Sequence, residues 1–387
     1  MKILMVHAFY KLAGGEDSVF RNEVELLRSR GHDVREFTRS NSEMDGLGAL
    51  AQFRTTIHNS RAVAEFEAEI SSFSPDIVHV HNTFQILSPS VLQAASRRGI
   101  PVVQTLHNYR LQCVNGLFFR DGKVCEECLG RVPVPGVRHG CYRESKAASA
   151  AVATMLTVHR AKHTYDRAVT RLICLTEFAR SKMIDGGLPA DRIDVKPNFL
   201  ATDPGTLANP EGYGLFVGRI SEEKGIDLLL DAWDIAQPGH ELRVAGDGPL
   251  REDLAKDYGP QSSVRFLGSL SREQVQSEMR GASYLVLPSV WYEGLPMVLV
   301  EALAVGLPVI VPRLGALPEI GGGASIVFEA GNVGSLADRL HEVDEDSSIL
   351  DRLRPIARQT FEDRYTADRN YDMLMKIYDR ARSEKGT

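Results

Sequence analysis

Residues 293–309 read EGLPMVLVEALAVGLPV, and this stretch decides the fold. One apolar run, residues 284–288, comes before it, and a second, residues 308–311, closes it. Strand, polar loop, short helix, Gly306 and strand again form a βαβ unit, whose two strands run parallel. Pro296 suits the first helical position, where the missing N–H has no partner to lose. The amides of Leu295, Met297 and Val298 then lie at a helix N-terminus, with Gly294 in the loop before it. Such amides lack intrahelical acceptors, and with the helix dipole they favour an anion such as a diphosphate. Glu293 stands in the loop itself. Glu301 lies one to two turns into the helix, where its carboxylate can accept hydrogen bonds from a vicinal diol. Residues 295–312 are nearly long enough to span a bilayer. They carry Glu301, three prolines and Gly306, so a helix followed by a buried strand is the better reading.

The same alternation extends outward in both directions. In the N-terminal half, strands are predicted over residues 2–7, 33–37, 76–81, 102–107 and 171–175. Helical periodicity lies between them, over residues 18–30, 62–73, 88–98 and 145–168. Residues 196–212 are rich in Pro, Gly, Asn and Asp and read as a linker. Strands resume at residues 215–217, 241–245, 263–267, 284–288, 308–311 and 325–328. The expectation is an α/β chain of two Rossmann-like, doubly wound domains facing each other across a cleft. The domains are residues 1–198 and 213–387, joined by a linker at 199–212. The final segment, 349–381, is expected to be helical throughout and to pack back across the first domain.

Ligands of such folds sit at the carboxyl ends of the strands, so the loops there are the places to seek chemistry. After the first strand of the second half comes VGRISEEKG, residues 217–225, which brings Arg219 and Lys224 to that edge. A guanidinium grips phosphate with a fork and an ammonium adds a point charge; together they would stabilise a departing diphosphate. A third loop, AGDGP at residues 245–249, follows the next strand.

With these loops in place, the sequence resembles the retaining glycosyltransferases of family 4, which have the GT-B fold. The resemblance rests on EGLPMVLVE, the family's E-x7-E, with ALAVGLPV directly after it. GRISEEKG, GDGP and Gly14-Gly15 after the first strand join it, and the likeness runs over nearly the whole chain. It implies that Arg219 and Lys224 hold the donor's diphosphate, that Glu301 holds the nucleotide ribose and that Glu293 contacts the donor sugar. Gly14 and Gly15 would let the first loop approach phosphates and sugar. His107, in TLHN, matches the active-site histidine beside the transferred sugar. The segment DIVHVHN, residues 76–82, is similar to a family strand, and His81 at its end would reach the acceptor or simply close the strand. Thr176 reads either as an acceptor contact or as a helix cap. The reaction implied is substitution at the anomeric carbon with retention, helped by the leaving diphosphate and needing no catalytic metal.

Four of five cysteines, Cys113, Cys125, Cys128 and Cys141, fall within a Gly/Pro-rich insertion, residues 111–143, that looks too aperiodic to own a core. A structural Zn²⁺ on four thiolates would staple such a loop; two disulfides or free thiols are the alternatives. Some family members carry a similar insertion after the active-site histidine. His139 is a spare ligand, and Cys174 belongs to a strand.

Composition sets the outer limits. The 387 residues are 43% hydrophobic and 25% charged, which excludes a disordered or fibrous chain. Net charge is −6, distributed as 26 Lys/Arg against 21 Asp/Glu in residues 1–200 and 19 against 30 in the rest. That is too weak a basic stripe for nucleic acid. It fits either an ordinary surface or a half that meets anionic lipid headgroups or a phosphorylated substrate. The basic run from Arg138 to Arg171 would let the protein lie on the inner membrane face, and no secretory signal opens the chain, so a cytoplasmic protein is expected.

The leading reading is therefore transfer of a hexose-type sugar from a nucleotide-diphosphate-sugar to a hydroxyl on a saccharide or lipid-linked glycan. An epimerase or phosphorylase on the same scaffold is the alternative. A sugar-nucleotide-binding protein without catalysis would lack reason to keep Arg219, Lys224, Glu293 and Glu301 together. A dehydrogenase would need a complete G-x-G-x-x-G, which Gly14-Gly15 does not supply.

Overall fold

The computed structural model describes residues 1–11, 14–206, 211–258 and 262–385; part of the expected linker, 207–210, lies outside the described residues. The chain divides into two compact units. The first comprises Met1–Phe118, Glu126–Asn198 and the chain from Ala367 onward; the second comprises Phe119–Cys125 and Phe199–Thr366.

In the first half of the chain the strands are β1 (Lys2–Phe9), β2 (Asp33–Ser40), β3 (Ile77–Asn82), β4 (Val102–Leu106), the short β5 (Phe119–Arg120) and β6 (Lys123–Val124), β7 (Arg171–Cys174) and β8 (Ile193–Val195). The first unit is built on a parallel sheet in the order β2-β1-β3-β4-β7-β8. Every residue of β3 and β4 is buried, as a parallel sheet covered on both faces requires. Ile3 and Met5 of β1 pack with Phe20, Val24 and Leu27 of helix Gly15–Ser29. Leu374, Ile377, Tyr378 and Ala381 of helix Ala367–Lys385 complete that cluster. Their i, i+3, i+4, i+7 spacing is one helical stripe, and burial of that stripe ties the C-terminal helix into the first unit.

The second unit repeats the plan with β9 (Tyr213–Val217), β10 (Leu242–Ala245), β11 (Val264–Gly268), β12 (Ala282–Val286), β13 (Val309–Pro312) and β14 (Ser325–Phe328). Its sheet runs β11-β10-β9-β12-β13-β14, again parallel. Trp233, Phe216, Tyr284, Phe328, Leu336 and Leu340 fill its core. Strand order reverses beside β9, which puts the loops after β9 and β12 next to each other at the carboxyl edge.

Several elements differ from the sequence reading. The final helical segment is two helices, Ser348–Arg364 and Ala367–Lys385. Between them Tyr365 is fully buried and donates its hydroxyl to Ile320 O at 2.9 Å, so the helix stops where its last aromatic turns inward. The helix expected to 168 ends at Ala161, and a separate wide turn, Thr164–Ala168, follows His163, whose φ is +54°. Helix Ala49–Ile57 and strand β8 were not anticipated. The cysteine-bearing insertion is not coreless: Val114 is buried against Phe84, Val152, Met155 and Leu156. Its middle forms the antiparallel β5–β6 hairpin, which belongs to the second unit. Among the described residues no helix is long and apolar enough to cross a membrane.

Leu374 is wholly buried in the shared stripe. Leu374→Ala should cost about 2–5 kcal/mol in urea unfolding, whereas a loss under about 1 kcal/mol would show that the C-terminal helix does not support the first unit.

Candidate active site

The second unit gathers the acidic and cationic residues that the sequence singled out. Gly225 has φ +68°, and a Cβ there would sit 2.1 Å from Pro288 O, so only glycine lets the loop after β9 press against the loop after β12. Val290 N–H donates to Glu223 O across the same junction at 3.1 Å. The result is a short ion pair: Lys224 Nζ lies 2.7 Å from Glu293 Oε1, which also accepts from Ser289 Oγ at 2.7 Å. Glu293 is 4% exposed, so this cation is what allows a carboxylate to stay buried. The ammonium also stands 5.3 Å from the centre of the Trp291 ring.

Arg219 takes a different position. It is exposed and lines a concavity with Gly218, Gly246, Asp247 and Ser269, at the ends of β9, β10 and β11. Gly246, at φ +141°, keeps that concavity narrow; a Cβ would sit 1.8 Å from Gly218 O. Helix Met297–Ala304 begins one residue later than expected, with Pro296 as its cap rather than its first residue. The Met297 and Val298 amides therefore form the open end, with Gly294 and Leu295 ahead of the cap. Glu301 lies in the second turn; burial pushes its carboxyl above the ordinary range, and the Arg272 charge pulls against that.

In the first unit the loop after β1 starts helix Gly15–Ser29 at Gly14. A Cβ at Gly14 or Gly15 would meet no atom of the described residues beyond its chain neighbours within 4 Å, and Gly14 has φ −120°, so those residues do not themselves demand glycine here. Asp17 anchors the loop, accepting from Gly14 N at 3.2 Å while its other oxygen pairs with His7 Nε2 at 2.7 Å. Neighbouring Glu16 has its carboxyl pushed up to about 8 by burial and then by the Asp17 charge, and its Oε1 is buried without a partner.

His107 is the first residue past β4 rather than its last. Its Nε2 lies 2.9 Å from His81 Nδ1, and the two rings stack at 5.1 Å. Burial, followed by the neighbouring His81 and His7, holds His107 well below the ordinary histidine value. His81 is 4% exposed, and both of its nitrogens are engaged, the second with Glu23 Oε1 at 3.1 Å. Thr176 is buried and caps helix Glu177–Asp185 by accepting from Ala179 N at 3.1 Å.

The sequence reading missed Glu23, His79 and Lys196. Glu23, His79 and His81 bring ligand atoms within 4.8 Å of one another. Lys196 Nζ, on a side chain 1% exposed, is already 2.7 Å from Glu23 Oε2, so an ammonium fills the role that a metal would take. Glu23 on a helix and Lys196 beside a proline read as surface, and His79, though part of the DIVHVHN strand, takes no role of its own in that reading.

None of the five cysteines is in a disulfide. Around Gly136 the first unit keeps a tight junction: a Cβ there would sit 3.5 Å from Cys128 Sγ and 2.8 Å from Val114 Cβ, next to Cys113. Cys141 N donates to Gly136 O at 3.0 Å. Cys128 and Cys141 thus border one glycine, the latter through its backbone, while the thiol of Cys113 bonds Asn115 Oδ1 at 2.9 Å. Cys125 belongs to the second unit.

Known proteins resemble the chain along most of its length. Residues 14–198 match the family described as glycosyl transferase 4-like domain, and residues 204–360 match glycosyl transferases group 1. The matches together take in nearly the whole chain, which belongs to the GT-B glycosyltransferases of the family 4-like kind. An uncharacterized glycosyltransferase of Methanocaldococcus jannaschii is 28% identical over 215 residues, 54% of this chain and 59% of that one. The D-inositol 3-phosphate glycosyltransferase of Mycolicibacterium smegmatis is 28% identical over 406 residues, 96% of this chain and 87% of that one. The chain spans about three-fifths of the length of the first curated relatives it matches. Among solved structures, the sucrose-phosphate synthase of Thermosynechococcus elongatus superposes with a TM-score of 0.71 at 16% identity, covering 99% of each chain. Anabaena HepE in complex with UDP gives 0.64 at 18%, covering 98% of this chain and 100% of that one.

Glu23 offers a test of the buried pair. Burial pushes its carboxyl up, but Lys196 and then His79 overcome that and hold it well below the usual value. A depressed carboxyl contributes stability above its unfolded pKa, near 4.5, and loses it as pH falls further. Glu23→Gln should cost about 3–5 kcal/mol at pH 7, with the penalty shrinking below about pH 4.5. A penalty that stays constant from pH 7 to pH 3.5 would contradict the assignment.

Proposed function

We propose that the chain is a retaining glycosyltransferase that moves a hexose-type sugar from a nucleotide-diphosphate-sugar to a hydroxyl acceptor, in polysaccharide or glycoconjugate assembly. The observation that carries this reading is the Lys224–Glu293 ion pair at the carboxyl edge of the second sheet, an edge that also bears exposed Arg219 and the Met297 and Val298 amides. Two cations and an open helix N-terminus suit a diphosphate. Glu301, set in the second turn, suits the ribose diol. Glu293, held by Lys224, would contact the sugar, and Gly294 and Leu295 would lie along it.

The acceptor is assigned to residues 1–198 and the donor to the second half from residue 213, less the helix Ala367–Lys385 that packs with the first unit. His107 is placed beside the transferred sugar, with Gly14 and Gly15 leaving open space for the donor. Both nitrogens of His81 are engaged and Thr176 Oγ1 caps a helix, which favours supporting roles for them over contact with the acceptor. Catalysis needs no metal in this scheme: Arg219 and Lys224 take up the negative charge as the diphosphate departs, and the diphosphate accepts the acceptor's proton on the same face. The acceptor is a saccharide or a lipid-linked glycan. The basic residues Arg131, Arg138, Arg143 and Lys146, with Val132 and Val134 exposed among them, support peripheral contact with the inner face of a membrane from the cytoplasm.

Arg219→Ala should lower turnover by about 10²–10³-fold with the fold intact, and Lys224→Ala by as much, with a stability loss of about 3–5 kcal/mol from the buried Glu293 whose cation it removes. The assay is a screen of UDP-, GDP- and ADP-sugars for donor hydrolysis and transfer, and near-wild-type rates in both variants would overturn the diphosphate assignment. Glu301→Ala should weaken nucleoside-diphosphate affinity by about tenfold or more, read by calorimetry.

A structural Zn²⁺ on Cys113, Cys125, Cys128 and Cys141 belongs to the same proposal, supported by their clustering in one short insertion and by Cys128 and Cys141 both bordering Gly136. Metal analysis of purified protein should find close to one zinc per chain. A metal-free protein of undiminished thermal stability would remove it.

A further inference from the structure

We propose that Lys196, Glu23 and His81 form a buried chain of hydrogen bonds that fixes which nitrogen of His107 carries the proton, making all three positioning residues for it. The proposal deepens the reading of His107 as the residue beside the transferred sugar, and rests on that reading for its catalytic consequence.

The chain of bonds begins at its charged end. Asn370 Nδ2 donates to Pro197 O at 2.8 Å, which turns its Oδ1 toward Lys196 Nζ at 3.3 Å. Lys196 Nζ donates to Glu23 Oε2 at 2.7 Å, and both side chains are buried. An ammonium so placed keeps Glu23 ionised, and an ionised carboxylate can only accept. His81 Nε2, 3.1 Å from Glu23 Oε1, must therefore carry its ring proton.

The neighbouring titratable group does not disturb this. His79 Nδ1 also lies 3.1 Å from Glu23 Oε1, but its nitrogens are bonded to Tyr378 OH at 2.7 Å and Thr105 Oγ1 at 2.8 Å. His7 is spent on Asp17. Burial lowers His81 to about 3, so the ring is neutral with one N–H, and its Nδ1 is a bare acceptor. His107 Nε2, at 2.9 Å, must then donate to it. Because His107 is itself neutral, its Nδ1 is left unprotonated.

The orientation follows from geometry and the direction from charge: each bond is forced by the one before it. His107 lines a concavity with Asn108 and Arg110, and no described protein group bonds its Nδ1. A ring in this tautomer accepts a hydrogen bond from a substrate hydroxyl; it neither donates to one nor serves as a general acid near neutral pH.

The test is direct. In the full-length protein with ¹⁵N-labelled histidine, long-range ¹H–¹⁵N correlation at pH 7.5 should show His107 with a protonated Nε2 and a bare Nδ1, its signals assigned by their loss in His107→Gln. A protonated Nδ1 overturns the proposal whatever the activity. The double variant Glu23→Leu/Lys196→Met removes both charges together while sparing His81 and His107. It should give mixed His107 tautomers and a kcat about tenfold lower, with the donor KM within about twofold. Unchanged tautomer and unchanged kcat would overturn the relay. If the double variant does not fold, the wild-type spectrum decides alone. Wild-type turnover in His107→Ala would instead refute the placement of His107 beside the sugar, leaving the tautomer result standing.

Discussion

A carboxylate that is nearly sealed from water needs a cation, and Glu293 has Lys224. That pairing joins the loop after β9 to the loop after β12, two strands that are neighbours in the sheet though far apart in sequence. Gly225 makes the approach sterically feasible, and Ser289 gives the carboxylate a second donor. The site is thus a consequence of strand order: a parallel sheet wound outward from β9 brings these loops side by side, and the ion pair fixes their spacing. Arg219, Glu301 and the open end of helix Met297–Ala304 then fall along one edge of the second unit.

The first unit solves a related problem in its interior. Polar residues of β3 and helix Gly15–Ser29 are buried among aliphatic neighbours, where each unpartnered group would be costly. Glu23, Lys196, His79, His81, Thr105 and Tyr378 satisfy one another instead. A network of this kind stabilises less than an apolar core would, but it orients side chains, and its outer end is His107. The C-terminal helix supplies Tyr378 and Asn370 to the same cluster, so the last residues of the chain contribute to the surroundings of a residue after β4.

Most strands were legible because parallel strands buried on both faces leave apolar, β-branched runs between turn residues; β13 reads that way throughout, and β3 and β4 do so despite their buried His79, His81, Gln104 and Thr105. The helix bearing Glu301 was legible too, though Pro296 proved to be its cap. What escaped the sequence had physical reasons. Helix Ala49–Ile57 leaves Leu50 exposed and carries no clear stripe; β8 is three residues long; Tyr365 breaks the C-terminal helices without a glycine or proline. Lys196, in a Pro- and Asn-rich context, looked like the beginning of a linker and is instead one of the most buried charges in the first unit. The pairing of Lys224 with Glu293 was equally hidden, since each residue had been given its own ligand and their separation of 69 positions carries no local signal.

The central claim is that the residues at the carboxyl edge of the second sheet receive the diphosphate of a sugar nucleotide. A crystal structure of the protein with UDP bound tests it most directly. The account predicts phosphate oxygens within hydrogen-bonding distance of the Arg219 guanidinium and the Lys224 ammonium, with the ribose hydroxyls on Glu301. A nucleotide seated away from all three residues would contradict it.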